Sequence, residues 1–182
     1  MAASLRTLAT EELAREEKDE IRALLDAAFG DDEDERFTDA DWEHALGGTH
    51  FVLAVDGRIV SHASVVEREI RIAERPLRTG YVEAVATVPG REGEGLGSRV
   101  MAAVGDHIRS RFELGALGTG RHSFYERLGW ITWRGPSSVR TPDGSRPTPE
   151  DDGYILVLAT PSSPPLDPTA PIDCDWRPGE VW

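Results

Sequence analysis

The sequence predicts a mixed α/β (α+β) fold, a central mixed β-sheet flanked by helices on both faces, and three observations predict it. Strand-like runs first follow one another as a meander between His50 and Val88; farther on, strands alternate with helices; and a glycine-rich turn joins the run Tyr81–Val88 to a helix of about four turns. With 182 residues, 39% of them hydrophobic, the chain is long enough for one domain with a proper core plus a tail. The expected division is residues 1–160 for the domain and 161–182 for the tail.

In chain order, Leu5 to Leu8 reads as a short first strand. Thr10 then stands where it can cap a helix whose first turn holds Glu11 and Glu12, and Ile21, Leu24, Leu25, Ala28 and Phe29 recur as one apolar stripe that Gly30 closes. The acidic run Asp31–Glu35 fits a solvated loop better than one wall of a cation-attracting mouth. A second short helix starts at Thr38 or Asp39, runs through Leu46 and stops at Gly47-Gly48. His50–Val55 and Ile59–Val66 are strand-like, and Asp56-Gly57 between them is the strongest short-range hairpin signal in the chain. Ile70 and Ile72 continue the sheet, and Pro76 with Gly80 places a turn before Tyr81. Pro89 and Gly90 end the strand that Tyr81 begins, after which Leu96, Val100, Met101, Val104 and Ile108 share one face at helical spacing. Glu113–Leu117 is a short strand, Arg121–Leu128 a helix closed by Gly129, and Trp130–Trp133 extended. The stretch Gly135–Gly153, rich in Pro, Gly, Ser and Asp, reads as a loop, and Tyr154–Ala159 as one more apolar strand. Past Pro161, prolines and scattered acids predict an irregular tail, which Trp176 and Trp182, costly to leave in water, should draw back onto the domain.

Composition narrows the partners. The chain has 33 acidic and 20 basic residues, a formal charge of −13, which argues against nucleic acid or an anionic membrane and favours a cationic ligand. No apolar run approaches the roughly 18 residues of a membrane span, and the N-terminus has neither a basic nor an apolar targeting region, so the cytoplasm is the expected location. Cys174 is the single cysteine and cannot form an internal disulfide. The five histidines show no i, i+4 pair, so no metal site is expected.

Between strand and helix lies Gly93-Glu94-Gly95-Leu96-Gly97. The first N–H groups of a helix have no partner inside it, and glycines let a ligand come close, so such a turn can hold a pyrophosphate without a basic side chain. A Walker loop is excluded because no Lys follows the glycines, and a dinucleotide fingerprint fits poorly with Gly-x-Gly-x-Gly spacing. On spacing alone, an ordinary glycine-rich βα turn is equally compatible.

The segment Glu92-Gly93-Glu94-Gly95-Leu96-Gly97 resembles the acyl-coenzyme A loop of the GCN5-related N-acetyltransferases, usually Arg/Gln-x-x-Gly-x-Gly/Ala. Glu92 stands where that family usually has Arg or Gln, with Arg91 one place earlier. Two carboxylates beside a pyrophosphate weaken its binding unless they point to solvent. Four further stretches are similar to the aminoglycoside 2′-N-acetyltransferases: Asp41-Trp42-Glu43-His44 with Leu46-Gly47-Gly48; Gly80-Tyr81-Val82-Glu83; Phe124-Tyr125-Glu126 with Leu128-Gly129-Trp130; and Cys174-Asp175-Trp176-Arg177-Pro178-Gly179-Glu180-Val181-Trp182. The likeness spans nearly the whole chain, and the last stretch is its most specific part.

That resemblance implies an enzyme using acetyl-CoA to acetylate the 2′-amino group of aminoglycoside antibiotics by direct transfer, which confers resistance. It implies Glu83 as the base and Tyr125 as proton donor to the leaving sulfur. The residues alone also permit a solvent-facing carboxylate at Glu83 and a buried tyrosine bonded to a carbonyl at Tyr125. The oxyanion donor would be the backbone N–H of Val85, exposed if the strand is bulged at Ala84. Val85 and Thr87 would pair with the pantetheine arm as an added strand does, with Glu92, Gly93, Glu94, Gly95, Leu96 and Gly97 as the phosphate loop. A polyamine sugar calls for carboxylates, and Asp41, Glu83, Asp151, Glu180 and the terminal carboxylate of Trp182 occupy the matching positions. Trp42 reads as core packing more readily than as a wall of that cleft. Arg36, in place of an acidic residue, and Gly118-Thr119-Gly120, in place of a longer Ser-rich segment, depart from the family pattern and bear on which antibiotics are taken. Relatives of this size are often homodimers; the sequence itself does not give an oligomeric state. Two other readings remain open: the same fold acting on a cell-wall amine, polyamine or protein N-terminus, and a non-catalytic module that sequesters CoA or cationic drugs.

Overall fold

The computed structural model describes residues 2–30 and 36–182, so the expectation for Asp31–Glu35 lies outside the described residues. The chain forms two compact units, one of residues through Val66 with Val82–Val104, the other of Glu67–Tyr81 with Gly105–Trp182. Its strands form a mixed sheet flanked by helices, the fold class expected. Among the described residues no helix is long and apolar enough to cross a membrane.

In the first unit, β1 (Ala3–Ala9) lies antiparallel to β2 (Thr49–Val55), from Ala3↔Val55 to Ala9↔Thr49. The hairpin from β2 into β3 (Arg58–Ile72) turns at Asp56 (φ 49°) and Gly57 (φ 82°), the two left-handed residues that its Asp-Gly signal requires. Helix α1 (Arg15–Phe29) buries Ile21, Leu24 and Leu25 in a core shared with Phe37, Ala45, Val52, Ile59, Ala84 and Ala86. Thr10 does not cap it. Thr10–Glu12 is a separate 3-10 turn, α1 starts from Ala14, and Glu17 accepts the Ala14 N–H at 3.1 Å. The Thr10 hydroxyl is held instead by Gly47, Gly48 and His50, which no local pattern could show. Helix α2 (Asp39–Ala45) begins at Thr38 as expected.

In the second unit, the far end of β3 turns at Ala73 (φ 48°) and Glu74 (φ 68°) into β4 (Arg75–Thr87), which runs back into the first unit. Pro76 and Gly80, read as turn residues, therefore lie inside β4. The strand order here is β6-β9-β5-β4-β3-β10-β7-β8, with β5 Leu114–Gly118, β6 Ile131–Thr132, β7 Ser137–Thr141, β8 Gly144–Pro147, β9 Ile155–Ala159 and β10 Ile172–Asp175. The β4–β5 and β7–β10 pairs are parallel. Helix α3 (Leu96–Arg111) spans the boundary between units and buries Leu96, Val100, Met101, Val104 and Ile108; α4 (His122–Glu126) is a single short turn.

Two further expectations fail in this unit. The stretch Gly135–Gly153 is no loop: it holds the β7–β8 hairpin and a 3-10 turn at Pro149–Asp151. The tail is not irregular throughout, because Ile172–Asp175 pairs in parallel with Ser137–Arg140. These strands are set by their partners rather than by local propensity, so the serines of β7 and the prolines that precede β10 concealed them. Trp182 is buried, whereas Trp176 remains 51% exposed.

Candidate functional site

Strand β4 carries Glu83, Val85 and Thr87 at alternate positions, all half-buried. Between the first two, Ala84 takes φ 51°, a left-handed conformation that costs a non-glycine residue roughly 1–2 kcal/mol and is characteristic of a bulge. The neighbouring carbonyls of β4 accept from side chains of β3. Ser64 Oγ donates to Glu83 O at 3.4 Å, His62 Nδ1 to Ala84 O at 2.8 Å, and Ser61 Oγ to Ala86 O at 2.8 Å. Ser61 Oγ also lies 3.0 Å from Thr87 Oγ1. The signal was present in the sequence: three polar residues interrupt the otherwise apolar run Ile59–Val66 of β3, and all three are fully buried.

The glycine turn follows β4 in the same unit. Gly93 (φ 86°) and Gly95 (φ 78°) are left-handed, and a Cβ built on either would meet nothing within 4 Å, so the backbone is open to close approach by a ligand. The first helical acceptor of α3 is Gly95 O, which takes the Arg99 N–H at 3.0 Å; the N–H groups of Leu96, Gly97 and Ser98 precede the helical ladder. The two carboxylates have local partners. Glu92 accepts the Gly90 N–H at 2.7 Å, and Glu94 pairs with Arg91 at 2.7 Å, which holds the Glu94 carboxyl below its ordinary range. Asp41 is engaged too, its Oδ2 accepting both the N–H and the hydroxyl of Thr38 at 2.7 Å in the capping box of α2. Trp42 packs against the core, its ring 6.4 Å from that of His50.

In the second unit, Tyr125 is buried, edge-on to Phe124 at 4.9 Å and to Trp130 at 6.1 Å. Burial pushes its phenol up to about 12, so it stays protonated throughout the neutral range. Asp151 and Glu180 come together in one cavity of about 390 Å³, which Arg146, Thr148, Glu150 and Val181 also line. Burial, and then the charge of Glu150, raise the Asp151 carboxyl above its ordinary value. A bound cation would relieve that repulsion. Trp182 Nε1 donates to Thr148 Oγ1 at 3.0 Å beside this cavity, and a Cβ built on Gly118 would stand 3.5 Å from the Trp182 carbonyl carbon.

Arg68 anchors that last segment. Its guanidinium donates to Asp175 Oδ1 at 3.1 Å, to Asp175 O at 2.7 Å and to Val181 O at 2.7 Å, while lying 4.7 Å from the Tyr81 ring centroid. Sequence reasoning missed Arg68 and Thr148, since only tertiary pairing shows what they hold. Cys174 is buried, its thiol donates to Val181 O at 3.4 Å, and burial raises it to about 11, so it is no nucleophile. Among the described residues no group of three His, Cys, Asp or Glu side chains could hold a metal ion.

Comparison with known proteins adds three findings. The family described as "Acetyltransferase (GNAT) domain" matches residues 9–132. A curated relative, an aminoglycoside 2′-N-acetyltransferase of Mycolicibacterium fortuitum, is 43% identical over 182 residues, covering 97% of this chain and 91% of the relative. Two solved structures share the fold: a GNAT family N-acetyltransferase (YhbS) from Escherichia coli in complex with CoA, with a TM-score of 0.63 at 16% identity and coverage of 94% of this chain and 89% of that one; and a GNAT family acetyltransferase from Brucella melitensis in complex with acetyl-CoA, with a TM-score of 0.61 at 18% identity and coverage of 94% of both chains.

Proposed function

The chain belongs to the GCN5-related N-acetyltransferase (GNAT) family, and from that we infer that it is an acetyl-CoA-dependent enzyme acetylating the 2′-amino group of aminoglycosides. The observation that carries this is the 43% identity, over 97% of this chain, to an aminoglycoside 2′-N-acetyltransferase. Bound acetyl-CoA supplies an activated acetyl thioester. The open turn at Gly93 and Gly95, with the N–H groups of Leu96 and Gly97, suits its pyrophosphate, and the pairing of Glu92 and Glu94 with local groups answers the charge objection.

Each remaining requirement of acetyl transfer to an amine falls to a residue of this chain. Glu83 takes the ammonium proton, directly or through one water, so that nitrogen can attack. The Val85 N–H donates to the carbonyl oxygen as negative charge develops on it, and Val85 and Thr87 pair their backbones with the pantetheine arm. Tyr125 donates to the departing sulfur. Its phenol at about 12 is a weaker acid than a thiol near 8.5, so it stabilises the thiolate first by hydrogen bonding. Asp151 and Glu180 bind the sugar's other ammonium groups, each charge-assisted hydrogen bond contributing roughly 1.5–3 kcal/mol. Asp41 and the terminal carboxylate of Trp182 are each assigned an ammonium group of the sugar. The buried, protonated Cys174 offers no route through an acetyl-cysteine, which favours direct transfer.

Incubation with acetyl-CoA and a panel of aminoglycosides, read by free thiol, tests the proposal. Thiol is released with gentamicin and tobramycin and not with analogues bearing a 2′-hydroxyl. Turnover confined to polyamines or protein N-termini would move the chain to another acceptor, and drug binding without turnover would make it a sequestering module.

A further inference from the structure

Four groups of the first unit form one chain of hydrogen bonds, buried except at its half-buried Thr10 end, that the reaction described above does not use. Thr10 Oγ1 lies 2.8 Å from His50 Nε2, His50 Nδ1 lies 3.0 Å from His62 Nε2, and His62 Nδ1 lies 2.8 Å from Ala84 O. Both imidazoles are fully buried, with ring centroids 5.2 Å apart. The direction of the chain follows from its last member. A carbonyl oxygen can only accept, so His62 carries its proton on Nδ1 and, as a neutral ring, accepts at Nε2. His50 must then donate from Nδ1 and accept at Nε2, and the Thr10 hydroxyl gives its one proton to that nitrogen at 2.8 Å in preference to Gly48 O at 3.3 Å. One arrangement of protons satisfies all three contacts. Burial keeps both rings neutral, holding His50 down to about 4 and His62 to about 3.

The chain ends at the one left-handed residue within β4. The carbonyl of Ala84 and the N–H of Val85 belong to the same planar trans peptide, so they point in opposite directions. A hydrogen bond that fixes the carbonyl toward His62 therefore aims the N–H away from it. We propose that His50 and His62 are positioning residues: a directed relay from Thr10 to the Ala84 carbonyl that holds this peptide turned, so that the Val85 N–H faces the reacting thioester carbonyl. This rests on the reading of Val85 as the oxyanion donor. The relay carries no proton to the substrate, because it terminates on a carbonyl; its work is orientation. It also gives the left-handed Ala84 a counterweight, since the peptide could relax only by giving up a buried hydrogen bond to His62.

Nitrogen-15 spectroscopy of the imidazoles in the full-length chain, together with two variants, tests this. In the free wild-type protein at neutral pH, both rings should show the Nδ1–H tautomer; an Nε2–H tautomer at His62 overturns the proposal. His62→Leu removes the donor to Ala84 O. It should shift the Val85 amide resonance and lower kcat at least ten-fold, while KM for acetyl-CoA changes less than about three-fold, as expected for a misaimed oxyanion donor. His62→Asn, whose side-chain amide replaces the Nδ1–H, should restore both the resonance and most of kcat. A folded His62→Leu enzyme with wild-type kcat, or a His62→Asn enzyme as slow as His62→Leu, overturns it. Should His62→Leu not fold, the wild-type tautomers and the His62→Asn resonance decide. The tautomer and the amide resonance are read without turnover, so a wild-type protein inactive on every aminoglycoside would defeat the proposed function and leave the relay still testable.

Discussion

Glu83 and Tyr125 show how one side chain's surroundings set its chemistry. Glu83 stands beside the left-handed Ala84 on a strand, and Tyr125 is a phenol that burial keeps protonated. Their kinetics should therefore differ in kind. Glu83→Gln should lower kcat about 100-fold, with the deepest loss at low pH, where more of the acceptor amine is protonated and a base is needed most; Tyr125→Phe should lower it about ten-fold. A pH series of kcat for both variants checks this, and unchanged rates in both would remove the mechanism. Both residues were legible only through resemblance, because a carboxylate in a strand and a tyrosine in a short helix have unremarkable local patterns. The side chains that hold the backbone next to Glu83 were harder still. His62 reads as one of three polar residues in the apolar run Ile59–Val66 until His50 and Ala84 are brought to it through pairings over 12 and 22 positions.

Among the elements, those with strong local grammar were legible: the Asp56-Gly57 hairpin, the Thr38 cap, the α3 stripe and the glycine turn that precedes it. The turn at Ala73-Glu74 was not. Its two residues both take positive φ without being Gly or Asn, so it gave no signal, while Pro76 and Gly80 nearby gave a false one. The geometry carries a prediction: Ala73→Asn combined with Glu74→Gly supplies the residues that such a turn favours and should raise the unfolding free energy by about 1 kcal/mol, read from the urea midpoint. No gain, or a loss, would mean that this turn is not strained. The β7–β8 hairpin and β10 escaped for the opposite reason, since each is specified by a partner strand rather than by its own residues.

For the complete chain, the formal charge of −13 set the expectation of a cationic ligand, and the structure gathers part of that charge where Asp151 and Glu180 share a cavity. What composition could not show is how the last residues are held beside it. Arg68 does this with three hydrogen bonds to Asp175 and Val181 from a side chain only 4% exposed. Arg68→Ala should cost about 2–3 kcal/mol of stability and raise KM for the drug well above its effect on KM for acetyl-CoA. Equal effects on the two KM values would show that the clasp does not serve the drug site. All of these roles presuppose acetyl transfer to one particular nitrogen. Two-dimensional NMR of the product made from tobramycin and acetyl-CoA reads that nitrogen directly: the acetyl group should be found on N2′ alone, and an acetyl on any other amine, or an unmodified drug, would contradict the assignment.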